Sequence, residues 1–220
     1  MENAFEDRAA AGRLLAQQLQ DYAGRDDVIV LALPRGGVPV AYEVAKALGV
    51  ALDVLVVRKL GVPFNAELAM GALASGGALY VDQDVLRFAD VTQQEFDTIL
   101  EQERAELERR EVLYRGSHPP IEINGKTVIV VDDGIATGAS MRAAIAALRS
   151  NHPARVIVAV PVAPVDTPAR LEITADDFIC VMTPSMFYSV GQFYDEFDQT
   201  ADVEVRNLLQ QALPRARPNP

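Results

Sequence analysis

The segments DVIVLAL (27–33), ALDVLVV (51–57), TVIVV (127–131), ARVIVAV (154–160) and DFICVM (177–182) are apolar almost without interruption. A strand with one wet face alternates apolar and polar residues. A strand that does not alternate must be covered on both faces, and the architecture that does this routinely is a parallel sheet between helices. Helical patterns fall between these runs, over about residues 39–48, up to about Arg149, and over 168–173. Strands alternating with helices predict an α/β fold with a doubly wound, mainly parallel sheet flanked by helices.

The periphery reads differently. Residues 5–20 place Leu14, Leu15 and Leu19 on one face of an opening helix. Residues 71–81 (GALASGGALYV) suggest an antiparallel hairpin turning at Ser75-Gly76-Gly77. A long charged helix is predicted over 92–114, with Phe96, Leu100, Leu107 and Tyr114 as a narrow apolar stripe and Glu106 paired to Arg110 on the wet side. Residues 183–200 are irregular and aromatic-rich, DVEVRNLLQQAL (202–213) is a closing helix, and the tail PRARPNP is expected to fray.

Half the residues are hydrophobic, mean hydropathy is +0.09, and 220 residues suffice for one well-buried core with a small appendage. A net charge of −11 with no offsetting basic tract argues against nucleic acid and against an anionic membrane. The single Cys180 lies within FICVM and reads as a core residue, and one cysteine excludes an internal disulfide framework. His118 and His152 each adjoin proline in loop-like sequence and read as surface residues. The first residues have neither a basic n-region nor an apolar h-region, and no apolar run reaches membrane-spanning length, so the expectation is a cytoplasmic protein.

Sheets of this kind bind ligands beyond the carboxyl ends of their strands. There TVIVV runs into DDGIATGAS, residues 132–140. The small residues Ala136, Gly138 and Ala139 admit a ligand close to the backbone, the following helix offers unpaired N–H groups and its positive dipole end, and Thr137 and Ser140 add hydroxyls. A phosphate fits, although neither a Walker loop nor G-x-G-x-x-G is present. Asp132 and Asp133 can accept from two vicinal hydroxyls or hold a divalent ion through water, and a ribose 5-phosphate satisfies both halves. After the first strand, Pro34-Arg35-Gly36-Gly37 is either an ordinary turn or a second anion loop in which Arg35 supplies a forked cation. Arg58 and Lys59, at the end of the second strand, are either a surface basic pair or a further anion contact.

These motifs resemble the type I phosphoribosyltransferases: four apolar residues, Asp132-Asp133, two linking residues and ATGAS match that family's motif for 5-phosphoribosyl 1-pyrophosphate (PRPP). PRGG stands where the family has its pyrophosphate loop, and the order of elements over roughly 25–183 fits the family core. RKLG-P resembles the start of the mobile loop of adenine phosphoribosyltransferases, with Glu67 near the position of their glutamate. With F-x-D-R-x-x-A-G at the amino end, the chain looks closest to a subgroup of bacterial phosphoribosyltransferases.

The resemblance implies a core over 25–183 with a mobile lid at about 60–79, and a small hood built from 1–24 and 184–220. It implies that Asp132 and Asp133 hold the ribose hydroxyls and that residues 136–140 hold the 5-phosphate. Pro34, Arg35, Gly36 and Gly37 would hold the pyrophosphate, with a non-proline cis bond between Pro34 and Arg35. Arg35, Lys59, Asp132 and Asp133 would be the catalytic set, and Arg58, Lys59 and Glu67 would act around the lid. Mg²⁺ would be held through PRPP and water near Asp132 and Asp133, with no direct protein ligands. The partners implied are PRPP and a nitrogenous base, with a homodimer by family analogy.

Two departures bear on the acceptor. Ala136 stands where 6-oxopurine enzymes carry a base-forming Asp, and AVPVAPVD (159–166) lacks their purine-reading Lys. Phe187, Tyr188 and Val190 faintly echo the aromatic hood of purine salvage enzymes, and either flank a flat base or pack the hood onto the core. The alternative to an enzyme is a sensor that binds PRPP or a nucleotide without turnover.

Overall fold

In the computed structural model, which describes residues 5–171 and 175–212, a five-stranded parallel sheet carries the molecule. The elements are α1 (Arg8–Gln18), β1 (Val28–Ala32), α2 (Gly37–Leu48), β2 (Ala51–Val54), β3 (Val57–Val62), β4 (Asn65–Ala74) and β5 (Ala78–Val81). They continue with α3 (Gln83–Phe88), α4 (Gln93–Arg115), β6 (Thr127–Val131), α5 (Ala139–Arg149), β7 (Arg155–Val162), α6 (Thr167–Leu171), β8 (Asp177–Met182) and α7 (Asp202–Ala212). The sheet order is β2-β1-β6-β7-β8, with every pairing parallel.

The unbroken apolar runs are explained by two cores. Along β6, Ile129 and Val131 enter the cluster shared with α1, α2, α4 and α7. Val128 and Val130 enter the opposite cluster with Ile145 and Leu148 of α5. Strand side chains alternate between faces, so a strand covered on both sides must be apolar throughout. Among the described residues no helix is long and apolar enough to cross a membrane.

A second, antiparallel sheet of order β3-β4-β5 packs beside α5 and α4. The expected turn at Ser75–Gly77 joins β4 to β5. Most of the segment expected as a mobile lid is paired strand: β3 and β4 form a hairpin whose register shifts on both sides of Gly61. The segment ALDVLVV also divides, ending as β2 at Val54 and resuming as β3 at Val57.

Asp7 caps α1 by accepting from the Ala10 N–H at 2.6 Å. Leu15 and Leu19 are buried as expected, whereas Leu14 is 42% exposed, because Ala11 and Gly12 rather than Leu14 complete the packed face. Thr92 and Glu95 close a reciprocal capping box at the start of α4, which buries Phe96, Leu107 and Tyr114 and leaves Leu100 half-buried. Glu106 accepts from both Arg109 and Arg110 at 2.7 Å. The far end of α4 is fixed by Arg115, which donates to Asp53 and Glu111 at 2.7 and 2.6 Å and to the Val54 carbonyl. Cys180 is half-buried at the edge of the second cluster, its thiol pushed up to about 11 by burial. His118 and His152 are exposed. The tail from 213 and the end of the helix expected over 168–173 lie outside the described residues.

The amino-terminal segment from Phe5 and the segment around Phe193 and Tyr194 meet over the carboxyl edge of the sheet. Phe5 bridges Tyr194 in parallel, and Phe5, Ala11, Val162, Phe193 and Tyr194 form a separate small core. The closing helix α7 turns back and packs on α2 and α4.

Candidate active site

Strands β1 and β6 are neighbours, but the chain leaves β1 toward β2 on one side and β6 toward β7 on the other. That reversal opens a crevice between the loops following the two strands, the usual ligand position in such sheets. The loops are PRGG and DDGIATGAS, and they touch. A Cβ added to Gly36 would stand 2.0 Å from Oδ2 of Asp133. One added to Gly37 would lie 2.7 Å from the Val131 carbonyl oxygen and 2.9 Å from Cα of Asp132. Gly36 has ordinary helical angles, φ −60 and ψ −32, so its lack of a side chain serves the contact and not the backbone. The Pro34–Arg35 bond is cis.

Asp132 and Asp133 sit half-buried at the mouth of β6. Oδ1 of Asp132 accepts the Asp133 N–H at 2.8 Å. Oδ2 of Asp133 accepts from Nε of Arg8 at 2.9 Å, both side chains being only 12–15% exposed. Burial raises both carboxyls above their ordinary range. For Asp132 the charge of Asp133 adds to the rise, while Arg8 holds Asp133 down. Of the two, Asp132 therefore has the higher proton affinity, and the acidic pair gains from hydroxyl donors or a cation.

Beyond the pair, Ile135 anchors the loop, its N–H donating to the Val162 carbonyl at 3.0 Å. Ala136, Thr137, Ala139 and Ser140 are exposed, and Gly138, at φ 75, turns the chain into α5. Arg142 donates to the Thr137 carbonyl at 3.1 Å, placing a cation one turn into the helix beside the loop. Helix N-terminus, hydroxyls and guanidinium together suit an anion.

The remaining expected residues diverge. Arg35 belongs to the crevice loop, but its guanidinium turns toward Asp202 at the start of α7, 3.8 Å away. Arg58 and Lys59 are adjacent on β3, so strand alternation sends their side chains to opposite sides. Arg58 donates to Glu103 of α4 at 2.5 Å. Lys59 lines a cavity of about 450 Å³ with Tyr80, Asp82, Ala139 and Arg142, so of the two it is the one near the loop at α5. The side chain of Glu67 lies outside the described residues. In the hood, Phe187 packs against Phe193 with centroids 5.4 Å apart, and Tyr188 is 81% exposed. Val190 lies over the residue after the acidic pair: a Cβ on Gly134 would be 2.6 Å from its Cγ1.

Two residues assigned no role from sequence reach the pair. Arg8 arrives from α1, and the Tyr194 hydroxyl donates to the Asp133 carbonyl at 2.6 Å. Burial raises the tyrosine hydroxyl well above its ordinary value, keeping it a donor. Arg8 belongs to the F-x-D-R-x-x-A-G pattern, which is the signal that marked it. No local spacing connects it to a residue 125 positions away.

Two proteins of Mycobacterium tuberculosis, from strains CDC 1551 and H37Rv and provisionally named as phosphoribosyl transferases, are each 46% identical to this chain over 208 residues. The match takes in 94% of this chain and 47% of theirs, so the chain spans about half the length of these relatives. The crystal structure of TT1426 from Thermus thermophilus is 42% identical, with a TM-score of 0.85, covering 94% of this chain and 98% of that one. The family model described as the phosphoribosyl transferase domain matches residues 3–198. The chain therefore belongs to the phosphoribosyl transferase domain family.

Proposed function

We propose that the protein is a salvage-type, magnesium-dependent phosphoribosyltransferase that passes ribose 5-phosphate from PRPP to a nitrogenous base. The observation that supports this most is the contact of the two anion loops across the crevice, Gly36 against Asp133. One sugar bearing a phosphate at one end and a pyrophosphate at the other spans that arrangement.

Asp132 and Asp133 accept from the ribose hydroxyls, and the exposed stretch 136–140 with Arg142 receives the 5-phosphate. The cis-bonded PRGG loop receives the pyrophosphate. The acceptor nitrogen forms its bond to the anomeric carbon as the carbon–oxygen bond to pyrophosphate breaks, and the pyrophosphate leaves with the electron pair. The chain's contribution is positioning and electrostatic stabilisation. An acidic pair with raised proton affinity fits a divalent ion. Asp132 and Asp133 would hold Mg²⁺ through water, where it neutralises charge on the leaving group. The β3–β4 hairpin, with Phe64 90% exposed at its tip, serves as the cover that excludes water. Ala136 leaves the loop without a carboxylate to deprotonate the acceptor, which disfavours 6-oxopurines.

The test is calorimetry with PRPP and Mg²⁺, followed by a screen of bases for pyrophosphate release. Absence of PRPP binding refutes the proposal. Binding without turnover on any base makes the protein a PRPP sensor instead.

A further inference from the structure

The pattern F-x-D-R-x-x-A-G supplies no donor loop, yet contacts fix each of its specified residues. The Phe5 N–H donates to the Phe193 carbonyl at 2.8 Å, and its ring lies 5.3 Å from that of Tyr194. Asp7 caps α1. Ala11 is fully buried in the terminal core, and a Cβ on Gly12 would fall 2.6 Å from the Val40 carbonyl oxygen, so α1 lies directly on α2. The pattern as a whole delivers Arg8.

The guanidinium of Arg8 is held on three sides. Nε donates to Asp133 at 2.9 Å, Nη1 donates to the Asp198 carbonyl at 2.7 Å, and the plane stacks on Phe197 at 3.9 Å. Tyr194, whose hydroxyl reaches the Asp133 carbonyl, stacks in turn against Phe197 with centroids 4.9 Å apart. Among the described residues, the ionisable groups facing Asp133 are thus Asp132, Arg8 and Tyr194, and Arg8 alone brings positive charge. A planar guanidinium locked by stacking fixes direction as well as charge, which an ammonium does not.

We propose that Arg8 is a positioning residue of the donor site. It holds the Asp133 carboxylate in the orientation that receives a ribose hydroxyl, and it makes that grip depend on the hood formed by the two chain ends. The proposal rests on the donor-site reading above. Ordering of the hood and binding of the sugar then favour each other reciprocally.

The experiment compares the wild type with Arg8→Gln, Arg8→Lys, Asp133→Asn and the Arg8→Gln/Asp133→Asn double variant. Calorimetry with Mg²⁺ uses three probes: PRPP, ribose 5-phosphate and inorganic pyrophosphate. Arg8→Gln weakens PRPP and ribose 5-phosphate by about 10- to 100-fold, the scale of a misplaced binding group. Pyrophosphate, which the PRGG loop receives and which has no hydroxyl for Asp133 to accept from, binds as before. Arg8→Lys recovers part of the loss, and in the Asp133→Asn background Arg8→Gln adds less than about twofold. If Arg8→Gln does not fold, the same comparison of probes is made with Arg8→Lys, which is then expected to weaken the two sugars selectively. Equal weakening of all three probes, additive losses in the double variant, or unchanged sugar binding each overturn the proposal. A wild type that binds neither PRPP nor ribose 5-phosphate overturns the donor-site reading, and this proposal with it.

Discussion

Replacing Gly36 by Ala isolates the contact between the PRGG loop and the loop that follows β6. The new Cβ would stand 2.0 Å from Asp133 Oδ2, whereas real Cβ contacts do not fall under 3.0 Å, so the carboxylate must retreat by at least about 1 Å. Overpacking of this kind costs about 1–3 kcal/mol of stability. Misplacing a binding group by about 1 Å costs on the order of 100-fold in function, equivalent to about 2.8 kcal/mol of PRPP affinity. The backbone at residue 36 is helical, so alanine brings no strain of its own. With the carboxylate deleted by Asp133→Ala, the nearest remaining atom among those flanking the new Cβ is Arg8 Nε at 3.4 Å, an ordinary contact. In that background Gly36→Ala should change sign and stabilise by about 0.4–1 kcal/mol, because alanine restricts the unfolded chain more than glycine does. Urea denaturation of the four proteins and PRPP calorimetry on the single Gly36→Ala variant test this. Equal destabilisation by Gly36→Ala in both backgrounds, or undiminished PRPP affinity in the single variant, would refute the reasoning.

The raised proton affinity of Asp132 gives the fold a pH dependence. A carboxyl whose folded value lies above its ordinary 3.8 binds more protons folded than unfolded, so its contribution is lost as pH rises through the folded value. Asp132→Asn should therefore raise the melting temperature at neutral pH and lose that advantage as the buffer approaches pH 4, while PRPP binding disappears. Arg115→Ala, which strands the buried Asp53, should destabilise by about 3–5 kcal/mol in denaturant titrations. Thr92→Ala removes the capping box of α4 and should cost about 1 kcal/mol by the same measurement.

What the sequence disclosed depended on how local the cause was. TVIVV and DFICVM have the same ends in the sequence reading and in the fold; TVIVV is buried throughout, whereas DFICVM is the edge strand, exposed at Asp177 and half-buried beyond it. The helix expected from Thr92 begins there in the fold, Thr92 being the residue that caps α4. The β3–β4 hairpin was not. Its strands carry Arg58, Lys59 and Asn65, and the register breaks around Gly61, so neither alternation nor an apolar run marks it. The same holds within the site. Residues 132–140 are contiguous and their chemistry can be read in order. The countercharge for Asp133 comes from the opposite end of the chain, and its counterpart at PRGG, Arg35, turns toward a helix that begins at residue 202. Burial and long-range partners decide these directions, and neither is a property of a short segment.

The parallel bridge between Phe5 and Tyr194 joins positions nearly 190 residues apart. The entropy of closing a chain loop that long is about 4–5 kcal/mol from the logarithmic term alone. Phe5, the Tyr194 ring and the Arg8 stack supply the contacts that offset it. Most pairings of the main sheet, by contrast, link strands a few tens of residues apart. The surroundings of Asp133 are therefore completed by contacts between residues far apart in sequence. A chain lacking the amino-terminal segment through α1 retains every strand of the sheet and both crevice loops, yet lacks the countercharge at Asp133, and one lacking Phe197 and Asp198 loses the ring and carbonyl that hold that countercharge in place. On the proposed donor site, binding competence would report that the segments carrying Phe5, Arg8 and Phe197 have docked on the core.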